Sequence, residues 1–176
     1  MKLTNRGIVA IATFPGVVAH EWAHKKFCNW FGGKVYEVSY FNIQSLFAIK
    51  SSPLGYVVHA EPNKFSHTFW ISTGPLIINS ILAVVFGYVA SQLGHSFFIQ
   101  TTFYWIAISI GVHAFPSNQD AKNVLQRSQI HIANNGSALH FLSYAFFGFV
   151  CFANGLRRWW IDFLYAGFLL ILGAQL

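Results

Sequence analysis

Residues 7–31 read GIVAIATFPGVVAHEWAHKKFCNWF, and they hold two facts that are hard to reconcile in a soluble protein. The stretch is apolar over about the 20 residues a helix needs to cross a hydrocarbon core roughly 30 Å thick. It also carries His20-Glu21-Trp22-Ala23-His24 in its second half. Ionisable groups are costly in hydrocarbon, so those found there mark function by default. Histidines four residues apart share one helix face, and both imidazoles then reach a single ion with the intervening glutamate beside it. Burying His, Glu and His together without a metal brings no structural benefit.

The rest of the 176-residue chain agrees with a membrane setting. Hydrophobic residues make up 55% and charged residues 9%, against about 25% charged in soluble domains. So few charges cannot cover a soluble surface. The 19 Phe and 6 Trp fit lipid-facing and interfacial positions. The net charge of +6 comes from cations scattered between apolar stretches, with no basic run longer than Lys25-Lys26 or Arg157-Arg158. That pattern anchors membrane helices and argues against a nucleic-acid partner. Only two cysteines occur, Cys28 and Cys151, both in apolar segments, which argues against a disulfide framework and leaves the redox compartment open.

Five apolar segments are candidate spans: Gly7–Phe31, Phe65–Leu93, Phe97–Phe115, Ala138–Leu156 and Trp159–Leu176. The last two, separated by Gly155 and Arg157-Arg158, read as a closing helical hairpin at about 138–176. Lys2 and Arg6 ahead of the first segment imitate a signal peptide. Cleavage after Ala19 would leave His20 at a bare terminus, so the segment is read as a retained first span interrupted by Pro15-Gly16. Lys34–Ala60, rich in Val, Tyr, Phe and Ile and punctuated by Ser51-Ser52-Pro53 and Gly55, reads as strands and turns. Pro116–Gly136 is polar and is expected to hold one short helix over Asp120–Ile130, before the turn signal Asn134-Asn135-Gly136. The expected fold is therefore an all-α polytopic membrane protein of about five transmembrane helices, with a small strand-rich, membrane-associated insertion after the first. It forms one domain over 1–176. Lys25, Lys26, Lys34, Lys50, Lys64, Lys122 and Arg127 fall on one side, against Lys2, Arg6, Arg157 and Arg158. The first side is favoured as cytoplasmic.

Zinc is the expected cofactor for two such histidines: it takes nitrogen and oxygen ligands and lowers the pKa of bound water to about 7. A catalytic zinc takes three protein ligands, so a third is needed. Cys28, Glu61, His113 and Asp120 are the candidates. Cys28 fails, because eight residues of helix rise about 12 Å beyond His20. Asp120 follows the third apolar segment on the side toward which His20 and His24 point. His113, seven residues earlier, is the alternative ligand, or a residue that orients one.

Three motifs in order resemble the site-2 protease family of intramembrane zinc metalloproteases: His20-Glu21-Trp22-Ala23-His24, Gly74-Pro75-Leu76-Ile77-Ile78-Asn79 and Asn118-Gln119-Asp120-Ala121. The third departs from the family pattern, with Gln119 where proline is common and Ala121 in place of glycine, as in a divergent, compact branch. The resemblance implies a catalytic core over about 7–130, zinc held by His20, His24 and Asp120, and Glu21 as general base. It also implies a role for Asn79 as a hydrogen-bond donor to a substrate carbonyl or oxyanion. The implied activity is hydrolysis of peptide bonds in or next to transmembrane segments of membrane proteins, at the cell membrane. A strand edge within Lys34–Ala60 would hold such a peptide extended, while His59, His67 and Glu61 read as polar interface residues. The rival readings are a non-proteolytic zinc-binding scaffold or chaperone, a metal transporter, and a protease of prenylated proteins. The oligomeric state is open.

Overall fold

In the computed structural model, which describes residues 5–42, 54–94, 96–134, 136–156 and 160–176, the first apolar stretch is two helices rather than one. They are α1 (Asn5–Ala12) and α2 (Phe14–Trp30). The break has a chemical cause. Pro15 sits in the first turn of α2, where its missing N–H is tolerated, but it cannot bond back into a preceding turn. The Gly16 N–H turns to the Thr13 carbonyl (3.1 Å), and the Ala12 carbonyl takes the Trp105 indole N–H instead (2.8 Å). Gly16, His20, Ala23, His24 and Phe27 then share the buried face of α2. The metal motif is thereby turned inward.

A two-stranded antiparallel sheet follows, β1 (Val35–Ser39) with β2 (Tyr56–His59), in a register running from Val35↔His59 to Ser39↔Tyr56. The strand expectation for this region is met at that level. Ser51-Ser52-Pro53 and Lys50 lie outside the described residues, as do Lys2, Asn135, Arg157 and Arg158.

The remaining elements are helices: α3 (Phe65–Gln92), α4 (Phe97–Val112), α5 (Asn118–Ala133), α6 (Ala138–Gly155) and α7 (Ile161–Ala174). The protein is mostly helical with one small sheet. Among the described residues, α3 alone is long and apolar enough to cross a membrane, with 28 residues and a mean hydropathy of 1.8. The helices α4, α6 and α7 are apolar but shorter. The helix expected over Asp120–Ile130 is longer at both ends, because Ser117 and Asp120 close a reciprocal capping box that starts it at Asn118.

Small residues decide which helices meet. Gly111 of α4 faces Ala166 of α7, Gly87 of α3 faces Leu170, and Gly173 lies against the Val84 carbonyl. These contacts wedge α7 against α3 and α4, whereas Phe147 and Val150 of α6 pack on Ala121 and Val124 of α5 and on Phe65. The expected closing hairpin is therefore corrected: α6 and α7 pack on different partners. The proximity of the two in sequence does not bring them together.

The tightest approach is that of α2 to α4. A methyl group added at Gly16 would lie 1.9 Å from the Ser109 carbonyl oxygen and 2.7 Å from the His113 ring. Gly16→Ala is therefore expected to lower unfolding stability by about 1–3 kcal/mol through overpacking, measured by thermal unfolding of the purified protein. Unchanged stability would show that the two helices are not in this contact.

Candidate metal centre

His20 and His24 stand one turn apart on α2, both buried. Asp120 comes to them from the first turn of α5. The imidazole Nε2 atoms are 3.2 Å apart, and Asp120 Oδ2 is 3.3 Å from His24 Nε2. All three ligand atoms lie within 4.8 Å of one another. The structure thus brings together, across about a hundred residues of chain, the three groups singled out as ligands.

Hydrogen bonds decide which ring nitrogens are bare. His20 Nδ1 is 2.7 Å from the His113 carbonyl oxygen, and His24 Nδ1 is 3.0 Å from that of Ile71. A carbonyl only accepts, so each Nδ1 must carry the proton and donate. In the neutral imidazole this leaves the Nε2 lone pair free. While both rings are neutral, two lone pairs and a carboxylate oxygen converge with no donor among them, a repulsion relieved either by a proton shared between His24 Nε2 and Asp120 Oδ2 or by a metal cation between the three. The 3.2 and 3.3 Å separations fit one, and the third pair of ligand atoms lies within 4.8 Å. Ligands about 2.0–2.1 Å from a tetrahedral ion stand about 3.3 Å from each other. Two imidazole nitrogens and a carboxylate oxygen are a donor set that could hold a metal ion, and an Nδ1–H donating to a backbone carbonyl is the usual support for a metal-bound histidine.

Asp120 is held as firmly. Its Oδ2 accepts from the Ser117 backbone N–H (2.9 Å) and hydroxyl (2.5 Å), while the Ser117 oxygen accepts from the Asp120 N–H (3.2 Å). Burial works to raise the carboxyl pKa. Positive charge on the His24 imidazole and its hydrogen bond, then charge on His20 and the Ser117 hydroxyl, more than offset it and hold the group well below the usual carboxylate range. Asp120 is an anion here.

The other candidates are placed elsewhere. Cys28 is buried in an apolar cluster with Phe27 and Ile71, a packing position. Glu61 is 79% exposed, 3.5 Å from Arg127 Nε. His59 bonds the Ala60 carbonyl through Nδ1 and His67 packs on Phe31, as interface residues do. His113 is corrected as a ligand. Its ring Nε2 meets Thr13 Oγ1 at 2.8 Å, because His113 sits at the end of α4 facing the α1–α2 break. It serves the site through its backbone carbonyl, which holds His20. Asn79 also departs from expectation. It is 0% exposed, and its side-chain N–H group donates to the same His113 carbonyl at 3.0 Å. The donor foreseen for a substrate is turned toward the support of His20.

Glu21 is half-buried and opens, with His20, onto a cavity of about 180 Å³ that Val17, Leu54, Gly55, His113, Phe115 and Ser117 complete. Gly55, just before β2, lies directly on Glu21: a methyl group added there would be 2.5 Å from Glu21 Cγ. The sheet is thereby docked over the glutamate. Gly55 and the two supporting carbonyls were not foreseen, since neither leaves a residue-type signal. Ser117 was legible, because Ser-x-x-Asp is a capping-box pattern.

No protein-family model, no curated protein and no solved structure matches the chain. Its own geometry carries the chemistry of the site. Wild-type protein is expected to retain close to one zinc per chain by elemental analysis, and Asp120→Ala and His24→Ala to lose it. His113→Ala should keep the metal, because the carbonyl that holds His20 survives the substitution. Retention by Asp120→Ala would remove that residue from the ligand set.

Proposed function

We propose that the chain is an intramembrane zinc metalloprotease, similar to the site-2 proteases, that hydrolyses peptide bonds in or next to transmembrane segments of membrane proteins. The observation that carries this reading is the convergence of two imidazole Nε2 atoms and a carboxylate beside a glutamate that faces a cavity. A divalent ion bound there supplies a Lewis acid for the scissile carbonyl and lowers the pKa of a bound water to about 7. The residues of the chain do the rest. Glu21 takes the proton from the attacking water and returns it to the leaving amine, the bond to carbon having formed and the carbon–nitrogen bond having broken. His113 and Ile71 carbonyls hold the two imidazoles in one tautomer, and Ser117 holds Asp120.

The setting supports a membrane substrate. Large apolar side chains face outward on several helices, among them Phe97 (85% exposed), Phe98 (81%), Leu164 (70%) and Leu142 (69%). Apolar surface this extensive is the mark of contact with lipid or protein. With the spanning length of α3, it supports a multi-pass protein of the cell membrane. A peptide bond within a transmembrane helix is shielded by its own hydrogen bonding and must be drawn out before attack. The β1–β2 sheet, whose neighbour Gly55 abuts Glu21, is suited to pair with such an extended segment.

A zinc-binding scaffold or chaperone would need the same ligands but has no use for a half-buried carboxylate beside them. Glu21→Gln in proteoliposomes is therefore expected to keep fold and zinc while slowing cleavage of a transmembrane peptide by about 10²–10⁴-fold. Normal turnover by that variant would sink the mechanism. Zinc without hydrolysis in the wild type would favour the scaffold.

A further inference from the structure

Pro75 lies inside α3, fully buried, with helix on both sides of it. In a regular helix the N–H of residue 75 would donate to the carbonyl of residue 71. Proline has no N–H, so the Ile71 carbonyl loses its partner. A carbonyl left unpaired in an apolar interior is strongly unfavourable. This one accepts from His24 Nδ1, at 3.0 Å.

We propose that Pro75 is a positioning residue for the metal: by withholding an N–H it keeps the Ile71 carbonyl open for His24. That bond fixes the tautomer and the aim of the imidazole, so that its Nε2 lone pair faces His20 and Asp120. The proposal rests on the metal reading of the site but not on proteolysis.

Two neighbouring observations agree. Gly74 adjoins Pro75, and a methyl group added there would lie 2.6 Å from the Phe27 ring of α2. The glycine thus admits α2 to the close approach that the His24 bond requires. The glycine supplies proximity and the proline supplies the acceptor. His20 is served by the same device in a second form. Its acceptor, the His113 carbonyl, would pair with the N–H of Ser117 if α4 continued, but that N–H donates to Asp120 Oδ2 instead. Both imidazoles are therefore held by helix carbonyls whose own donors are missing or diverted.

The test is the zinc affinity of Pro75→Ala, which restores the N–H and lets the helix reclaim the Ile71 carbonyl. Affinity is expected to fall about 10–100-fold, as when other supports of a metal-bound histidine are removed. The metal-free variant should unfold at the same or a higher temperature, because an interior proline opposes helix formation and alanine does not. A role in packing alone would move both quantities down together. A second variant carries an α-hydroxy acid at position 75, joined by an ester, which removes the N–H without a ring. It is expected to bind zinc as the wild type does, and it decides the matter if Pro75→Ala does not fold. Wild-type affinity in Pro75→Ala, or equal losses in both variants, would overturn the proposal. Failure of the wild type to cleave peptides while it binds zinc would remove the protease reading and leave this one standing. A wild type that binds no zinc would remove both.

Discussion

The geometry of the site hangs on two hydrogen bonds, each from an imidazole Nδ1–H to a main-chain carbonyl. A histidine ring turns freely about its side-chain bonds and exists in two tautomers. Pinning Nδ1 removes both freedoms at once and leaves one lone pair facing inward. In an apolar surround the bonds are needed from the other side as well, since an unpaired carbonyl there has no water to turn to. The support and the ligand stabilise each other, which is how a polar cluster persists in a chain with so few charges.

The helix ends and breaks around the site extend the same logic. At Thr13 the chain gives up a continuous helix, and the Ala12 carbonyl passes to the Trp105 indole. At His113 α4 ends, and the freed carbonyl collects both His20 and Asn79. At Ser117 a capping box starts α5 and presents Asp120 in its first turn. Irregular backbone in an apolar interior is tolerated only where other groups re-satisfy it. Each irregularity here is satisfied by a partner that also shapes the centre. Around them, glycine contacts bring α2 against α4 and α7 against α3, so that the polar cluster is enclosed by closely packed backbone.

Much of this was legible from residue types and spacing. The pairing of His20 and His24, the candidacy of Asp120 and the strand character around β1 and β2 follow from local rules of helix face, span order and β-propensity. The failures share a cause. Gly7–Phe31 was read as one span interrupted at Pro15-Gly16, and the interruption proves to be a full break between two helices, because how far a local defect parts a helix depends on the groups packed around it. The closing helices looked like a hairpin because a short connection suggests pairing, whereas α7 meets Gly87 of α3 and Gly111 of α4 and lays its own Gly173 on the Val84 carbonyl. Asn79 looked like a free donor because nothing in its neighbours along the chain reveals the His113 carbonyl, 34 positions away.

The linear order of residues thus carried the candidate ligand set, since coordination chemistry is written in residue types and a helix converts a spacing of four into a shared face. It also carried the apolar character of the chain and the cap that begins α5. Which nitrogen of each imidazole is bare, which carbonyl holds it, and that Gly55 lies over Glu21 were settled by packing alone. Those features depend on main-chain atoms, which are the same at every position and become distinct only when the helices have been placed.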